Sequence, residues 1–330
     1  PPLDTAKGGE RTTVQLVEVN WDGTDYHFDF ACLRRWVELC RKHGITEIEV
    51  SHLFTQWGAI CAPKIWVNTP DGPERRFGWH TPAVGEEYTR FLRMFLPALK
   101  EELNQLVGLE HVWFHISDEP HDHEKETYAA AKATVADLLE GCHVIDALSS
   151  YAIYQEGIVE KPVVCNDHLQ TFADHGVPNL WTYYCTVQAI DVPNRFIAMP
   201  SARNRIMGVL FYLYDIEGFL HWGFNFYNSQ RSVRHIDPFR VTDAGGAFPS
   251  GDPFLVYPGP DGTPWESIRG EVLKEALQDL RLLRLTESRV GRPRTLALLR
   301  ELGGEMSFTR YPRDKAFFAR LWEECTRLCE

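Results

Sequence analysis

Seven short apolar runs, at 14–19, 45–50, 112–116, 144–148, 162–165, 180–185 and 219–222, alternate with stretches whose apolar residues return every three or four positions. Runs this short read as buried strands, and the period-3.6 stretches between them read as amphipathic helices. Leu33, Trp36, Val37 and Cys40 mark one such helix. Tyr88, Phe91, Leu92, Phe95, Leu96, Leu99, Leu103 and Leu106 mark a second, which Pro97 is expected to kink or split. Tyr128, Ala131, Val135, Leu138 and Leu139 mark a third, and 202–214 reads as a buried helix. Thr263-Pro264-Trp265-Glu266 is expected to open a long helix with a capping box and a proline in its first turn, carrying an inner stripe of Ile268, Val272, Ala276 and Leu280. Residues 312–330 suggest a terminal helix. Strand–helix alternation builds parallel sheet, so the expected fold is α/β, a (β/α)8 barrel of the TIM type, distorted if need be, with an extra C-terminal helix. The eighth strand is sought at 64–67 or 253–257, and a doubly wound sheet is the competing architecture. Lacking an interdomain linker or repeat, residues 1–330 are expected to form one catalytic domain with a helical extension over about 290–330.

Charge narrows the partners. With 34 Lys plus Arg against 46 Asp plus Glu, the net charge of −12 repels phosphate backbones and anionic lipid, so neither nucleic acid nor membrane is expected as a partner. The eight cysteines contain no Cys-x-x-Cys pair and mostly sit in apolar segments, which reads as reduced core thiols and a cytoplasmic setting. Nothing in the composition sets the oligomeric state. Between Ser51 and Thr81 a long loop is expected, with Trp57, Trp66 and Trp79 arguing that it is ordered and functional.

Function concentrates at one strand exit. The apolar run Val112-Trp113-Phe114-His115-Ile116 leads into Ser117-Asp118-Glu119-Pro120, and acids at the end of a buried strand cost desolvation energy that folding alone does not require. Paired carboxylates are the equipment of glycoside hydrolysis. Neighbouring strand residues point to opposite faces, so Asp118 and Glu119 serve one site only if the strand ends or bulges there. Two acids this close suit a substrate that supplies its own nucleophile. A 2-acetamido oxygen attacks, Asp118 orients and stabilises the acetamido group, and Glu119 serves as acid and then base. A plain structural reading stands beside this one: Asp-Glu-Pro caps the following helix.

Three separated stretches resemble the catalytic domain of glycoside hydrolase family 123. They are Ser51-His52-Leu53-Phe54-Thr55-Gln56-Trp57-Gly58, then Ser117-Asp118-Glu119-Pro120, then Gly218-Phe219-Leu220-His221-Trp222-Gly223-Phe224-Asn225 leading to Gly251-Asp252-Pro253 and Tyr257-Pro258-Gly259. The similarity spans roughly 26–285. It implies an exo-acting, retaining β-N-acetylgalactosaminidase using substrate assistance, with Asp118 matching the acetamido-orienting acid and Glu119 the acid/base. It also implies a β-sandwich domain ahead of the barrel, which this chain is expected to lack. The substrate is then a glycan or glycoconjugate, and no cofactor or metal is expected.

Sugar faces dock on aromatic rings, and Trp57, Trp222 and Tyr227 are the preferred platforms among 10 Trp and 12 Tyr. Tyr183 or Tyr184 is a candidate donor to the acetamido carbonyl, and only one of the two can point inward. His52, Gln56, Asn166, Asp167 and Asn225 are candidates for sugar hydroxyls. His115 is read as a core or supporting histidine. The rivals are a glycosidase for non-acetamido sugars using Asp167 or Asp215 as nucleophile, a non-catalytic carbohydrate-binding protein, and a metal-dependent hydrolase with His121 and His123 beside the acid pair.

Overall fold

The computed structural model describes residues 14–330; residues 1–13, with the Pro1-Pro2-Leu3 start, lie outside the described residues. The chain divides into two compact units, residues 1–162 with 231–233, and residues 163–230 with 234–330.

Unit 1 opens with an antiparallel pair, β1 (Glu18–Trp21) and β2 (Tyr26–Asp29), followed by helix α1 (Ala31–Lys42) and the short strand β3 (Ile48–Glu49). A hairpin follows, β4 (Ile65–Thr69) and β5 (Gly72–Phe77), then helix α2 (Glu86–Leu106), β6 (Val112–Phe114), α3 (Lys125–Ala133), β7 (His143–Val144), β8 (Asp146–Leu148) and α4 (Tyr151–Gln155). Two sheets result. One runs β2-β1-β4-β5, mostly antiparallel; the other is the parallel set β3-β6-β7, with Ile48 opposite Val112 and Trp113 opposite His143. Helix α2 seats Tyr88, Phe91, Leu92, Leu96, Leu99 and Leu103 in the core. It passes through Pro97 as one element because Pro97 lies on the exposed face, where water can serve the carbonyl that loses its amide partner.

Unit 2 carries the parallel strands β9 (Pro162–Cys165), β10 (Trp181–Tyr183) and β11 (Gly218–Leu220), with α5 (Leu169–Asp174) between the first two. Trp181 pairs with Val163 on one side and Gly218 on the other. The helix expected over 202–214 forms as α6 (Ala202–Arg205) and α7 (Met207–Leu213), parted at Ile206. After the two-residue strands β12 (Tyr257–Pro258) and β13 (Pro264–Trp265) come α8 (Ile268–Val290), α9 (Arg292–Gly303) and α10 (Lys315–Cys329). Helices α7 and α8 meet backbone to backbone at Gly208, where a Cβ would fall 1.8 Å from the Ala276 carbonyl oxygen.

Several sequence expectations change. The first strand starts at Glu18 rather than Val14, and its turn partner β2 carried too little apolar signal to be seen. The long loop after Ser51 contains the β4–β5 hairpin, and the strand sought at 64–67 is thus present, but it pairs with β1 and β5 instead of extending the parallel set. At 253–257 only Tyr257 enters a strand, paired antiparallel with Trp265. Pro264 is therefore extended rather than helical, and α8 is capped three residues later by Ser267, whose hydroxyl accepts from the Gly270 amide. Ile268 is exposed, and the buried stripe is Val272, Ala276, Asp279, Leu283 and Thr286. Trp36 is exposed as well. All eight cysteines are free thiols, Cys32 on the surface. The ladders among the described residues make a mixed α/β fold with parallel sheets and helices, and they do not close a barrel.

Asp279 is the polar member of that stripe and is fully buried. Arg205 donates to it through Nε at 2.7 Å and Nη2 at 2.9 Å, and Trp322 Nε1 donates at 2.5 Å, tying α6, α8 and α10 together. Removing one member strands a desolvated charge. Asp279→Ala is expected to cost about 3–5 kcal/mol in chemical denaturation, whereas a loss under about 1 kcal/mol would class the pair with surface ion pairs.

Candidate active site

The acid pair sits where an extended segment turns sharply. Strand β6 ends at Phe114, and a second segment runs beside the chain from there to Asp118. The Leu53 amide donates to His115 O at 3.0 Å, Phe54 to Ile116 O at 2.9 Å and Trp57 to Asp118 O at 3.0 Å, while Ser117 Oγ donates to Thr55 O at 2.8 Å. Two stretches sixty residues apart in sequence, 51–58 and 117–120, are thereby zipped together. Glu119 then takes φ +45°, in the left-handed region, and Trp57 beside it takes φ +57°. Such conformations cost a non-glycine residue roughly 1–2 kcal/mol and persist where the surroundings enforce them. They also end the strict alternation of faces, which frees Asp118 and Glu119 from pointing to opposite sides.

The helix-capping role falls to other residues. His121 caps the turn at Asp122–Glu124: its amide donates to Glu124 Oε2 at 2.9 Å and its Nδ1 lies 3.0 Å from the same oxygen. Asp122 accepts from Ser150 Oγ at 3.0 Å and His123 is turned to solvent, so the rival metal set of His121 and His123 with the acid pair does not converge. Among the described residues the side chains that converge closely enough to hold an ion are His52, His115 and Asp146, and separately Cys165, Asp167 and His168.

Beneath the pair lies a buried charge relay. His115 Nδ1 is 3.2 Å from Asp146 Oδ1, its Nε2 is 2.9 Å from Glu49 Oε1, and Asp146 Oδ2 accepts from the Ile116 amide at 3.2 Å and from the Tyr128 hydroxyl. Burial opposes a charge on His115, but Asp146 and Glu49 outweigh it and push the imidazole up to about 10. The ring of His52 packs 4.6 Å from that of His115, and burial, then the neighbouring positive charge, holds His52 well below its usual range. Asp118 is pushed up to about 7, first by burial, then by the charges of Glu119 and Asp146, with His115 pulling the other way. Gln56 is buried and Trp57 is 44% exposed. A larger cavity of about 500 Å³ in unit 1 is lined by Leu33, Phe91, Leu99 and similar side chains; it touches Glu49 and His52 but neither acid, and its apolar wall does not suit a sugar.

The remaining expected residues lie in unit 2. Asn166 donates through Nδ2 to Pro193 O at 2.9 Å, so its amide holds a loop. Asp167 is 2.7 Å from His168 Nδ1 and accepts from Gln188 at 3.2 Å; burial alone would raise its pKa, but its contacts with Cys165, His168 and Gln188 lower it. Of the two tyrosines, Tyr184 is wholly buried and donates to Asn204 Oδ1 at 3.2 Å, and Tyr183 is also buried. Trp222 packs against Phe226 and Phe248, Asn225 is exposed, and Tyr227 spends its hydroxyl on Val256 O at 2.8 Å. Asp215 is exposed at φ +53°.

Sequence reasoning missed Asp146, Glu49, Arg195, His221 and Asp252 as polar centres. Asp146 carried a usable signal, a lone acid inside the apolar run 144–148. Arg195 is fully buried, donates through Nη2 to Asp252 O at 2.6 Å and Trp222 O at 3.1 Å, and lies over the Tyr184 ring at 5.0 Å. Burial raises Asp252 to about 6 against the pull of Arg195, and burial lowers His221 to about 3. Since these groups stand in loops with mixed composition, nothing local marked them.

A group with a folded pKa above its unfolded value is most favourable to stability below the unfolded pKa, and that contribution is lost as pH rises through the folded value. For Asp118 the window runs from 3.8 to about 7. Asp118→Asn is therefore expected to leave stability unchanged near pH 4 and to raise it at pH 8 by on the order of 2 kcal/mol, read by denaturant titration at both pH values. Equal effects at both would show that Asp118 carries no burial penalty.

A family model described as Glycoside hydrolase 123, catalytic domain, matches residues 1–286. No match to this chain is found among curated proteins. Among solved structures, one similar chain is a family 123 glycoside hydrolase from Clostridium perfringens, analysed for glycolipid glycan hydrolysis, with 14% identity and a TM-score of 0.65 over 99% of this chain and 59% of that one. A likeness at that identity is one of fold, and this chain spans about 59% of that protein's length.

Proposed function

The chain belongs to glycoside hydrolase family 123, and from that premise we propose that it is a retaining, exo-acting hydrolase that releases terminal β-linked N-acetylgalactosamine from a glycan. The observation that carries the reading is the acid pair at the left-handed turn, with Asp118 half-buried and raised in part by the charge of Glu119. The carbonyl oxygen of the substrate's 2-acetamido group attacks the anomeric carbon while Glu119 protonates the departing glycosidic oxygen. Asp118 accepts a hydrogen bond from the acetamido N–H and balances the positive charge that grows as the oxazolinium ring closes. Water then opens the ring, Glu119 takes its proton, and the anomeric configuration is retained. Supporting this division of labour, the relay of His115, Asp146 and Glu49 braces the Asp118 side of the pair. The glycolipid glycans hydrolysed by the Clostridium perfringens relative suggest the class of conjugate. The same reading takes the parallel strands as parts of a TIM-type barrel.

Asp118 must be ionised to act, so kcat/KM is expected to fall below a limb near pH 7, the value to which Asp118 is raised. Glu119→Gln removes the neighbouring charge and is expected to move that limb to lower pH. The same variant is expected to lose about 10²–10⁴-fold on substrates with poor leaving groups while keeping much of its rate on activated aryl glycosides. Asp118→Asn is expected to slow both. A cyclic thiazoline that mimics the oxazoline should inhibit; indifference to it, with activity retained on sugars lacking the acetamido group, would instead favour a carboxylate nucleophile.

A further inference from the structure

Strand β9 ends at Cys165, and the residues that follow make a turn that folds back on it, with the His168 amide donating to Cys165 O at 2.9 Å. The turn is pinned at Asn166. Its amide donates to Tyr183 O on the neighbouring strand β10 at 2.9 Å, and its side-chain Nδ2 donates to Pro193 O at 2.9 Å.

The turn gathers donors of different chemistry. The Cys165 sulfur, an Asp167 carboxylate oxygen and a His168 ring nitrogen all lie within 4.8 Å of one another. A buried thiol alone is an ordinary core residue. Here an acid and an imidazole converge on it, with His168 Nδ1 2.7 Å from Asp167 Oδ1. Behind them, the buried Gln188 donates through Nε2 to Asp167 Oδ2 at 3.2 Å and accepts from the Cys185 amide at 2.9 Å. It thereby fixes the orientation of the carboxylate, as the outer partners of metal ligands do.

Exposure grades across the set. Cys165 is buried, whereas the Asp167 side chain is 33% exposed and that of His168 52%. An ion can therefore enter from the side of Asp167 and His168 and meet the sulfur at the inner end. The other convergence of possible ligands, at His52, His115 and Asp146, differs in that His115 already turns both nitrogens to carboxylates, those of Asp146 and Glu49.

We infer that Cys165, Asp167 and His168 hold a divalent ion of the zinc type, with water in the fourth position. Thiolate, imidazole and carboxylate are the ligand classes of zinc, and a sulfur in the set disfavours magnesium and calcium, which take oxygen ligands. Binding exchanges a proton for the metal: the Cys165 S–H bond breaks, its proton passes to the buffer, and the sulfur bonds the ion. Asp167 enters as the carboxylate and His168 as the neutral ring. The ligands all belong to unit 2, and the inference concerns metal binding, so it can fail while the hydrolytic reading stands.

The full chain, freed of metal by a chelator and titrated calorimetrically with zinc chloride in two buffers of different ionisation enthalpy, is expected to show saturable binding with proton release. With cobalt chloride as the probe, a sulfur-to-cobalt charge-transfer band is expected, and Cys165→Ser is expected to abolish it. His168→Gln, at an exposed side chain, is expected to weaken zinc by more than about tenfold, and Gln188→Leu by about 10–100-fold. Circular dichroism checks that each variant is folded. No saturable zinc binding, a charge-transfer band that survives Cys165→Ser, or zinc affinity unchanged in His168→Gln would overturn the inference.

Discussion

One imidazolium, that of His115, faces three carboxylates in unit 1, those of Glu49, Asp118 and Asp146. The charges of His115 and Asp146 are costly alone at this depth and tolerable because of each other, with the exposed Glu49 adding a second anion beside the imidazolium. Asp146 is the anchor, since it holds His115 on one oxygen and the Ile116 amide and Tyr128 hydroxyl on the other. That arrangement fixes the backbone just before Asp118, so that the left-handed turn at Glu119 is imposed from below rather than chosen locally. Asp118 is raised first by desolvation and then by the charges of Glu119 and Asp146, which the single cation does not cancel.

Unit 2 has its own buried charges: Arg195 and Asp252 are both fully buried, with Arg195 Nη2 3.3 Å from Asp252 Oδ1. In the same unit Arg205 and Asp279 satisfy each other in two hydrogen bonds, with Trp322 completing the carboxylate.

Legibility in the sequence followed the physics of burial. Strands β6, β9 and β10 and the core face of α2 were readable because their side chains see only protein, and a continuous or periodic apolar signal survives. The β4–β5 hairpin was not, because its strand Gly72–Phe77 carries Glu74, Arg75 and Arg76 and reads as loop. Pro264 misled in a similar way: proline suits a helix start and an extended strand equally, and only pairing with Tyr257–Pro258 decides between them. Helix α9 falls inside the helical extension expected over about 290–330, but its bounds were not legible because Gly291 and Pro293 look like the end of order rather than the start of a new helix.

By itself the sequence determined that two adjacent acids leave a buried strand, that strands and helices alternate, and which motif stretches accompany the acids, since all three are properties of local composition and spacing. Tertiary structure alone decided that residues 51–58 lie alongside 115–118, that Asp146 and Glu49 charge His115, and that Tyr184 and Tyr227 turn their hydroxyls to the protein rather than to a ligand. The reason is that desolvation and Coulomb energy depend on distances between residues remote along the chain. No local window of residues contains them.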